Sequence, residues 1–293
     1  MFKSWLHYWS AWFQRHGVPQ VSSRSLFSSG EYASGKPLRR LGKRCLTTIV
    51  LMSLLLPSFG VRALAEDDFD PPDRGLPGRR RGGGSRNPLS QCLQAGDPGF
   101  TALLPVSNIG LTIAEYPQIF WFIPQHQAPL VEVSLYSTNA DFQDQDLVFL
   151  SQFATTGQAG IGQLKAPEAA SLKPLAEGET YHWYLSLICD PNDRAEDITV
   201  SGWIERVPVP TNLAAELEIR QGIDRYRALA QAGLWFDALD TLATLRCTQP
   251  ENAEAIEGVW QSLLAQEQVD LAEFSTAAWL RPCSEFPESP LSP

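Results

Sequence analysis

Between residues 100 and 207, apolar and polar residues alternate in short runs that turn residues separate. Alternation of this kind is typical of strands with one buried face, and a succession of such strands favours an antiparallel β-sandwich. The predicted strands are Ile119 to Ile123, Leu130 to Ser137, Leu147 to Gln152, Gly160 to Leu164, Thr180 to Cys189 and Ile198 to Val207. Residues 100–207 are therefore expected to form one sandwich domain.

After Pro208 and Pro210 the apolar residues recur at helical spacing instead. The pattern predicts one helix from Leu213 to Ala232, ending at Gly233, and a second that buries Trp235. A third helix follows Asn252, and a fourth runs to Leu280. Residues 211–285 are therefore expected to form a small helical module, followed by a disordered tail, 286–293.

A local motif supports the sandwich. Leu175 stands six residues before Tyr181, across a turn that contains Gly178. This spacing resembles the tyrosine corner, in which a tyrosine hydroxyl bonds to the backbone of the loop before its strand. The predicted fold class is a fibronectin III/immunoglobulin-like antiparallel sandwich followed by the helical module.

The helical segment carries a motif of its own. Gly233 precedes Trp235 and Ala238, and Pro250 follows Ala238 by 12 residues. The arrangement resembles one tetratricopeptide repeat, in which glycine makes the tight turn and alanine lets two helices approach. Stacked repeats need about three units for stability, so the module must pack against another part of the chain.

Residues 1–65 resemble an export signal. A basic stretch, 39–44, precedes an uncharged apolar segment, 46–59, and Ala63-Leu64-Ala65 supplies the small residues that signal peptidase prefers. We predict cleavage after Ala65 and a protein in the periplasm or another extracytoplasmic compartment. An uncleaved anchor is the alternative, although the apolar segment is shorter than the roughly 20 residues that span a bilayer.

Charge and cysteines fit this location. Nine of the 23 basic and one of the 33 acidic residues lie in residues 1–65, which leaves 14 basic and 32 acidic, a formal charge of −18. Such a chain repels nucleic acid and anionic lipid, so membrane contact is expected only through the uncleaved signal. The mature part keeps four cysteines, for which export favours disulfides. We expect Cys92 to pair with Cys189, and Cys247 with Cys283.

The segment 66–99 is rich in proline, glycine and charge, and it is expected to be a disordered leader. Its arginines, 79–81, precede three glycines that could bind an anion, but packing at a strand edge or flexibility is the favoured interpretation. We refer below to residues 69–82 as the leader segment.

No motif for catalysis or for a resident metal is present. The mature part has two histidines, His126 and His182, for which packing is favoured over catalysis. Asp190, Asn192 and Asp193 form an oxygen-rich loop that suits an Asx turn better than calcium. The sequence therefore predicts no enzyme, no cofactor and no metal site.

Several longer segments carry a family resemblance. They are GRRRGGGSR (78–86), FTALLPVSNIGLTIAEYPQIFWFIP (100–124), YHWYLSLICDPNDR (181–194), VSGWIERV (200–207) and YRALAQAGLWFDAL (226–239). In this order they resemble the cyanobacterial Domain of Unknown Function 928 family. The resemblance implies an exported cyanobacterial protein and supplies no catalytic residues.

Alternation turns Trp203 outward, together with Tyr184 and Ile188 on the neighbouring strand. We predict that the helices, with Trp235 among the contacts, dock on this outer face. The function predicted from these features is a non-enzymatic interaction or structural module that binds a protein partner in the cell envelope. The alternatives are a glycan-binding sandwich, which needs coplanar exposed aromatic rings, and an enzyme acting on envelope polymers, which needs paired carboxylates in a cleft.

Overall fold

The computed structural model describes residues 69–82, 92–93, 99–165, 173–281 and 283, and all of them belong to one compact unit. The predicted signal peptide and the predicted tail lie outside the described residues. The strands are β1 Thr101–Ala102, β2 Ile109–Thr112, β3 Gln118–Ile123, β4 Leu130–Thr138, β5 Asp144–Ala154, β6 Gly160–Lys165, β7 Thr180–Ile188 and β8 Ile198–Arg206. The α-helices are α1 Thr211–Ile219, α2 Gly222–Gln231, α3 Trp235–Thr248 and α4 Ala253–Ala265.

The strands form two sheets. One has the order β2-β8-β7-β4-β5 and the other the order β1-β3-β6. The predicted fold class, a sandwich followed by helices, is confirmed. One pairing departs from the antiparallel expectation, because β2 runs parallel to β8, with Ile109 opposite Trp203. Strands β1 and β2 are too short to show alternation, so the sequence pattern did not predict them.

The core lies between the sheets, where alternate residues of each strand meet. Trp183 and Leu185 of β7 are buried on one side and Ile119 and Trp121 of β3 on the other. The tyrosine-corner geometry is present at the end of this core, because the Tyr181 hydroxyl accepts a hydrogen bond of 2.9 Å from the Ala176 backbone N–H. The loop before β7 is thereby tied to its own strand.

The first predicted helix is wrong as a single element. The chain forms α1 and α2 with a break at Arg220 and Gln221, where the backbone is extended. Gly222 follows with a φ of 58°, a conformation that favours glycine. As a result, Ile219 does not join the buried face and is 80% exposed.

The fourth predicted helix is also wrong. Helix α4 ends at Ala265, and the chain continues as a loop with one short 3₁₀ turn, Ala272–Phe274. Its apolar residues Val269, Leu271 and Phe274 are all buried, so irregular backbone serves the core here. Among the described helices, none has the length and apolar character that crossing a membrane requires.

The expectation of a disordered leader is wrong for residues 69–82. Phe69 is buried against Trp235, and the backbone of Arg80 and Gly82 pairs with the chain beside β1. Arg80 holds the segment in place, because its guanidinium donates hydrogen bonds to the carbonyl oxygens of Leu104, at 2.8 Å, and Val269, at 2.5 Å. A segment with few apolar residues is ordered because other elements supply its hydrogen bonds.

Both cysteine pairs lie within bonding distance. Cys92 is joined to Cys189, with α-carbons 5.4 Å apart, and Cys247 to Cys283, with α-carbons 5.0 Å apart. These are the pairings proposed from the sequence. The first fastens the segment before β1 to the end of β7, and the second fastens the end of α3 to the chain beyond the last loop.

Candidate functional site

The outer face of the five-stranded sheet gathers aromatic and polar side chains. The register pairs Trp203 of β8 with His182 of β7, and Tyr184 with Ser134 of β4. Because paired residues point to the same face of a sheet, Trp203, His182 and Tyr184 all project away from the core. The imidazole of His182 stacks on the Trp203 indole, with ring centroids 3.9 Å apart and an angle of 4° between the planes.

Asp144, at the beginning of β5, completes this cluster. His182 Nδ1 donates a hydrogen bond of 2.9 Å to one carboxylate oxygen, and the Tyr184 hydroxyl donates one of 2.6 Å to the other. Burial lowers the pKa of His182, and the bond to Asp144 opposes this effect only in part. Burial and the same carboxylate raise the pKa of Tyr184 well above its usual range.

No sequence motif indicated this cluster of titratable side chains. Asp144 lies before the predicted strand Leu147 to Gln152, so alternation did not place it beside His182. The free nitrogen of His182, Nε2, has no hydrogen-bond partner and is closed to solvent. A general base needs access to its substrate, so the cluster ties β5 to β7 and presents no accessible base.

Trp203 is covered, but not by the helices. Its indole N–H donates 2.6 Å to the Pro77 carbonyl oxygen of the leader segment, and the Phe142 ring meets it edge-on at 5.9 Å. Phe142 has a φ of 58°, which is unfavourable for a bulky residue and which places its ring at this position. Arg74 lies over Phe142 and forms an ion pair with Glu205.

The predicted docking face is therefore wrong for Tyr184, Ile188 and Trp203. Helix α3 packs on β2 and β3 instead of on β7 and β8. Ile188 is buried, but β7 packs mainly on β4 and β8, and Tyr184 bonds to Asp144. The leader segment covers Trp203 where the helices were expected to do so, and its Pro77 carbonyl oxygen accepts the indole N–H.

Trp235 does dock the helices on the sandwich. It is fully buried, and its indole N–H donates 2.8 Å to the Leu103 carbonyl oxygen. Gly110 of β2 makes the approach possible, because a β-carbon there would lie 2.6 Å from the Phe236 ring. Asp237 adds a polar contact, since one of its carboxylate oxygens accepts 3.1 Å from the Ile113 N–H.

An apolar surface remains on the outer face at the edge strand β5. Leu147 and Leu150 of β5 are 50% and 52% exposed, beside the half-buried Tyr136 and Tyr184. We call these four residues the β5 patch. The four consecutive apolar residues 147–150 signalled that both faces of this strand are apolar, although alternation alone assigned only one of them to the core.

His126 and the loop of Asp190, Asn192 and Asp193 form hydrogen bonds with neighbouring groups. Both ring nitrogens of His126 are bonded, to Pro124 O at 2.9 Å and to Thr155 Oγ1 at 2.8 Å. Asp190 accepts 2.8 Å from the Asn192 N–H, as in an Asx turn. Within the part of the chain that the structure describes, no three His, Cys, Asp or Glu side chains converge as metal ligands would.

The requirement for a glycan platform is not met on this face. Tyr136 and Tyr184 are exposed enough to touch a ligand, but their rings stand at 86° to one another. His182 and Trp203 are parallel, but both are buried. By its fold and surfaces, the protein is a two-sheet β-sandwich with a docked helical module and an exposed edge strand.

The chain belongs to the family described as Domain of Unknown Function (DUF928), whose model matches residues 81–279. The match covers both sheets and most of the helical module. Neither a curated protein nor a solved structure matches the chain. The likeness of α2 and α3 to a tetratricopeptide hairpin and the cyanobacterial origin stay predictions.

Proposed function

We propose that this protein is a non-enzymatic interaction module outside the cytoplasm, which binds a partner protein through the edge strand β5 and the β5 patch. The observation that carries the proposal is the exposure of Leu147 and Leu150 on a strand of 11 residues, Asp144–Ala154, that pairs only with β4 among the described strands. Backbone groups along its outer edge are available to another strand.

An edge of this kind needs a partner. Proteins that stay monomeric protect edge strands with lysine, proline, inward charges or bulges. Strand β5 has neither lysine nor proline, and its two acidic residues, Asp144 and Asp146, and both irregularities in its register with β4 lie towards its beginning. The remainder would promote aggregation unless a second chain covered it. Strand addition by a partner would satisfy the edge and cover the leucines together.

Charge favours one kind of partner. A mature chain with 14 basic and 32 acidic residues attracts neutral or basic surfaces and repels nucleic acid. The two disulfides are compatible with an oxidising compartment. Together with the signal-like residues 1–65 and the family resemblance, they support a role in a cyanobacterial cell envelope.

The test is capture from an envelope extract with the tagged mature protein. We expect the double variant Leu147→Lys/Leu150→Lys to lose at least 90% of the captured partner, an effect of about 1.4 kcal/mol per tenfold change. Lysine places charge on the patch, and its long side chains discourage strand addition. Ile219→Lys, which changes an even more exposed apolar residue on α1, is the control and should keep the partner.

Equal recovery by the patch variant and the control would contradict the proposal, as would an extract that yields no specific partner. Sedimentation of the purified protein tests whether a second copy of this chain binds β5 instead. If the wild type forms a dimer that the patch variant does not form, then β5 binds a second copy, and the heterologous partner is excluded.

A further inference from the structure

A second surface of the sandwich has the features of a small-molecule site. Where the edge strands β5 and β6 face one another across the gap between the two sheets, they leave a cavity of about 360 Å³. Apolar side chains from both sheets line its interior, including Trp121, Ile123, Val131 and Phe153. This volume lies within the range of about 300 to 1,000 Å³ that is typical of ligand pockets.

Trp121 forms one wall of the cavity. Its indole lies against Gly162 of β6, where an added β-carbon would meet the ring at 2.4 Å. The glycine thus lets an aromatic ring lie flat across the neighbouring strand. Phe153 of β5 supplies a second ring, with centroids 6.0 Å apart and an angle of 37° between the planes.

The indole N–H of Trp121 forms no hydrogen bond with a described residue, and the side chain, which is 3% exposed, lines the cavity. In this it differs from Trp203 and Trp235, whose N–H groups donate to carbonyl oxygens of the chain. An indole N–H in an apolar site usually finds an acceptor, which a ligand in the cavity would supply.

The mouth of the cavity is polar and carries no described carboxylate. Thr156 and Gln158 line it and are exposed, and Arg281 lies at the same rim. Hydroxyl and amide groups can both donate and accept hydrogen bonds. His126 also lines the cavity, but its two ring nitrogens are occupied by Pro124 and Thr155, so it shapes the wall.

We infer that this cavity binds a neutral saccharide unit. A pyranose ring presents a face of C–H groups, which suits the negative face of an indole or phenyl ring. Its hydroxyls match the Trp121 N–H, Thr156 and Gln158. An acyl chain would leave these polar groups unpaired, and burial of an unpaired polar group is unfavourable.

The cavity is independent of the proposed partner surface. Phe153 and Leu150 point to opposite faces of β5, because their paired residues, Val131 and Ser134, belong to opposite faces of β4. The β5 patch variant should therefore keep the sugar site, and loss of sugar binding leaves the partner proposal untouched.

Saturation-transfer NMR and calorimetry on the mature protein test the inference, with maltose, cellobiose and chitobiose as neutral disaccharide probes and octanoate as the apolar probe. We expect at least one disaccharide to bind and octanoate not to bind. Trp121→Phe, which keeps an aromatic ring and removes the N–H, should weaken binding at least fivefold. Thr156→Trp, which fills the mouth, should abolish it.

Trp260→Phe is the matched control. Trp260 is equally buried and its N–H is also unpaired, but it belongs to α4 and does not line the cavity. It should leave affinity unchanged. The inference is overturned if none of the disaccharides binds, if octanoate alone binds, or if Trp121→Phe has no larger effect than Trp260→Phe. Sedimentation with insoluble cellulose and chitin then distinguishes a polymer end from a free sugar.

Discussion

Asp237 shows how one carboxyl group couples the helices to the sheet. It lies on α3, where the Ile113 N–H and the Thr112 side chain bond to it, and both bonds favour the ionised form. Desolvation outweighs them, since the carboxyl is enclosed between α3 and β2, and the pKa of Asp237 rises to about 6. The ionised carboxylate is therefore unfavourable at the position where the two parts of the molecule meet.

The pH dependence of stability follows from this shift. The pKa of Asp237 is higher in the folded state than the value of about 3.9 in an unfolded chain. The contribution of Asp237 to folding stability is thus complete below pH 4 and is lost as the pH rises through about 6. We expect a loss of about 2 to 3 kcal/mol between pH 4 and pH 7.5, at 1.36 kcal/mol per pKa unit.

Urea unfolding of the wild type and of Asp237→Asn at both pH values measures this effect. The asparagine can still accept the Ile113 hydrogen bond but does not titrate. Relative to the wild type, the variant should be more stable at pH 7.5 than at pH 4 by about 2 to 3 kcal/mol. A constant difference at the two pH values would show that Asp237 is not the group responsible.

At the scale of elements, the contact between α3 and β2 depends on the missing side chain at Gly110. A β-carbon there would come within 2.6 Å of the Phe236 ring and 3.1 Å of the Trp235 β-carbon. Gly110→Ala should therefore destabilise the protein by about 1 to 3 kcal/mol, as overpacking does, and expose α3 to limited proteolysis.

Gly258→Ala provides the comparison for this prediction. Gly258 lies in α4, is exposed, and would bring no atom within 4 Å of an added β-carbon. The same substitution there should stabilise the helix by up to about 1 kcal/mol. If urea unfolding shows that both substitutions change the free energy of unfolding in the same direction, the close approach of α3 to β2 does not restrict the residue at position 110.

Elements with strong periodicity were predictable, and elements whose order depends on distant partners were not. The strands β4 to β8 carry alternating residues, and β3 carries a continuous run of apolar and aromatic residues, so each could be recognised. The break at Gly222 and the loop after Ala265 were not predicted, because the apolar residues there are spaced as they would be in a continuous helix. The leader segment was missed because Pro77 and Arg80 are held by hydrogen bonds to residues far away in the chain.

The same limit applies to the candidate sites. Outward alternation placed Trp203 correctly, but no local pattern reveals that Pro77 and Phe142 cover it. The cavity at Trp121 depends on Gly162 from another strand, a pairing that depends on register. A search for an apolar run on an edge strand would have found Leu147 and Leu150.

For the whole molecule, the two disulfides are expected to contribute unequally. Cys92 and Cys189 close a loop of 97 residues, and Cys247 and Cys283 a loop of 36. In the chain-entropy account, the longer loop contributes on the order of 4 to 5 kcal/mol and the shorter about 1 kcal/mol less. The double variant Cys92→Ser/Cys189→Ser should therefore unfold at lower urea concentration than Cys247→Ser/Cys283→Ser.

Peptide mapping without reductant accompanies this comparison. We expect peptides that link Cys92 with Cys189 and Cys247 with Cys283, and a peptide that links Cys92 with Cys247 would contradict the pairing. If the variant without the shorter loop proves the less stable, factors other than loop entropy determine the contribution of these bonds.

The fastening of the leader segment has a consequence for the order in which the protein folds. Phe69 bonds to Gln266, 197 residues later, and Arg80 to Val269, 189 residues later. A segment near the beginning of the described chain is therefore held by residues near its end. Contacts so far apart in sequence form slowly, so we expect the leader segment to reach its final place only after residues 266–269 have been synthesised.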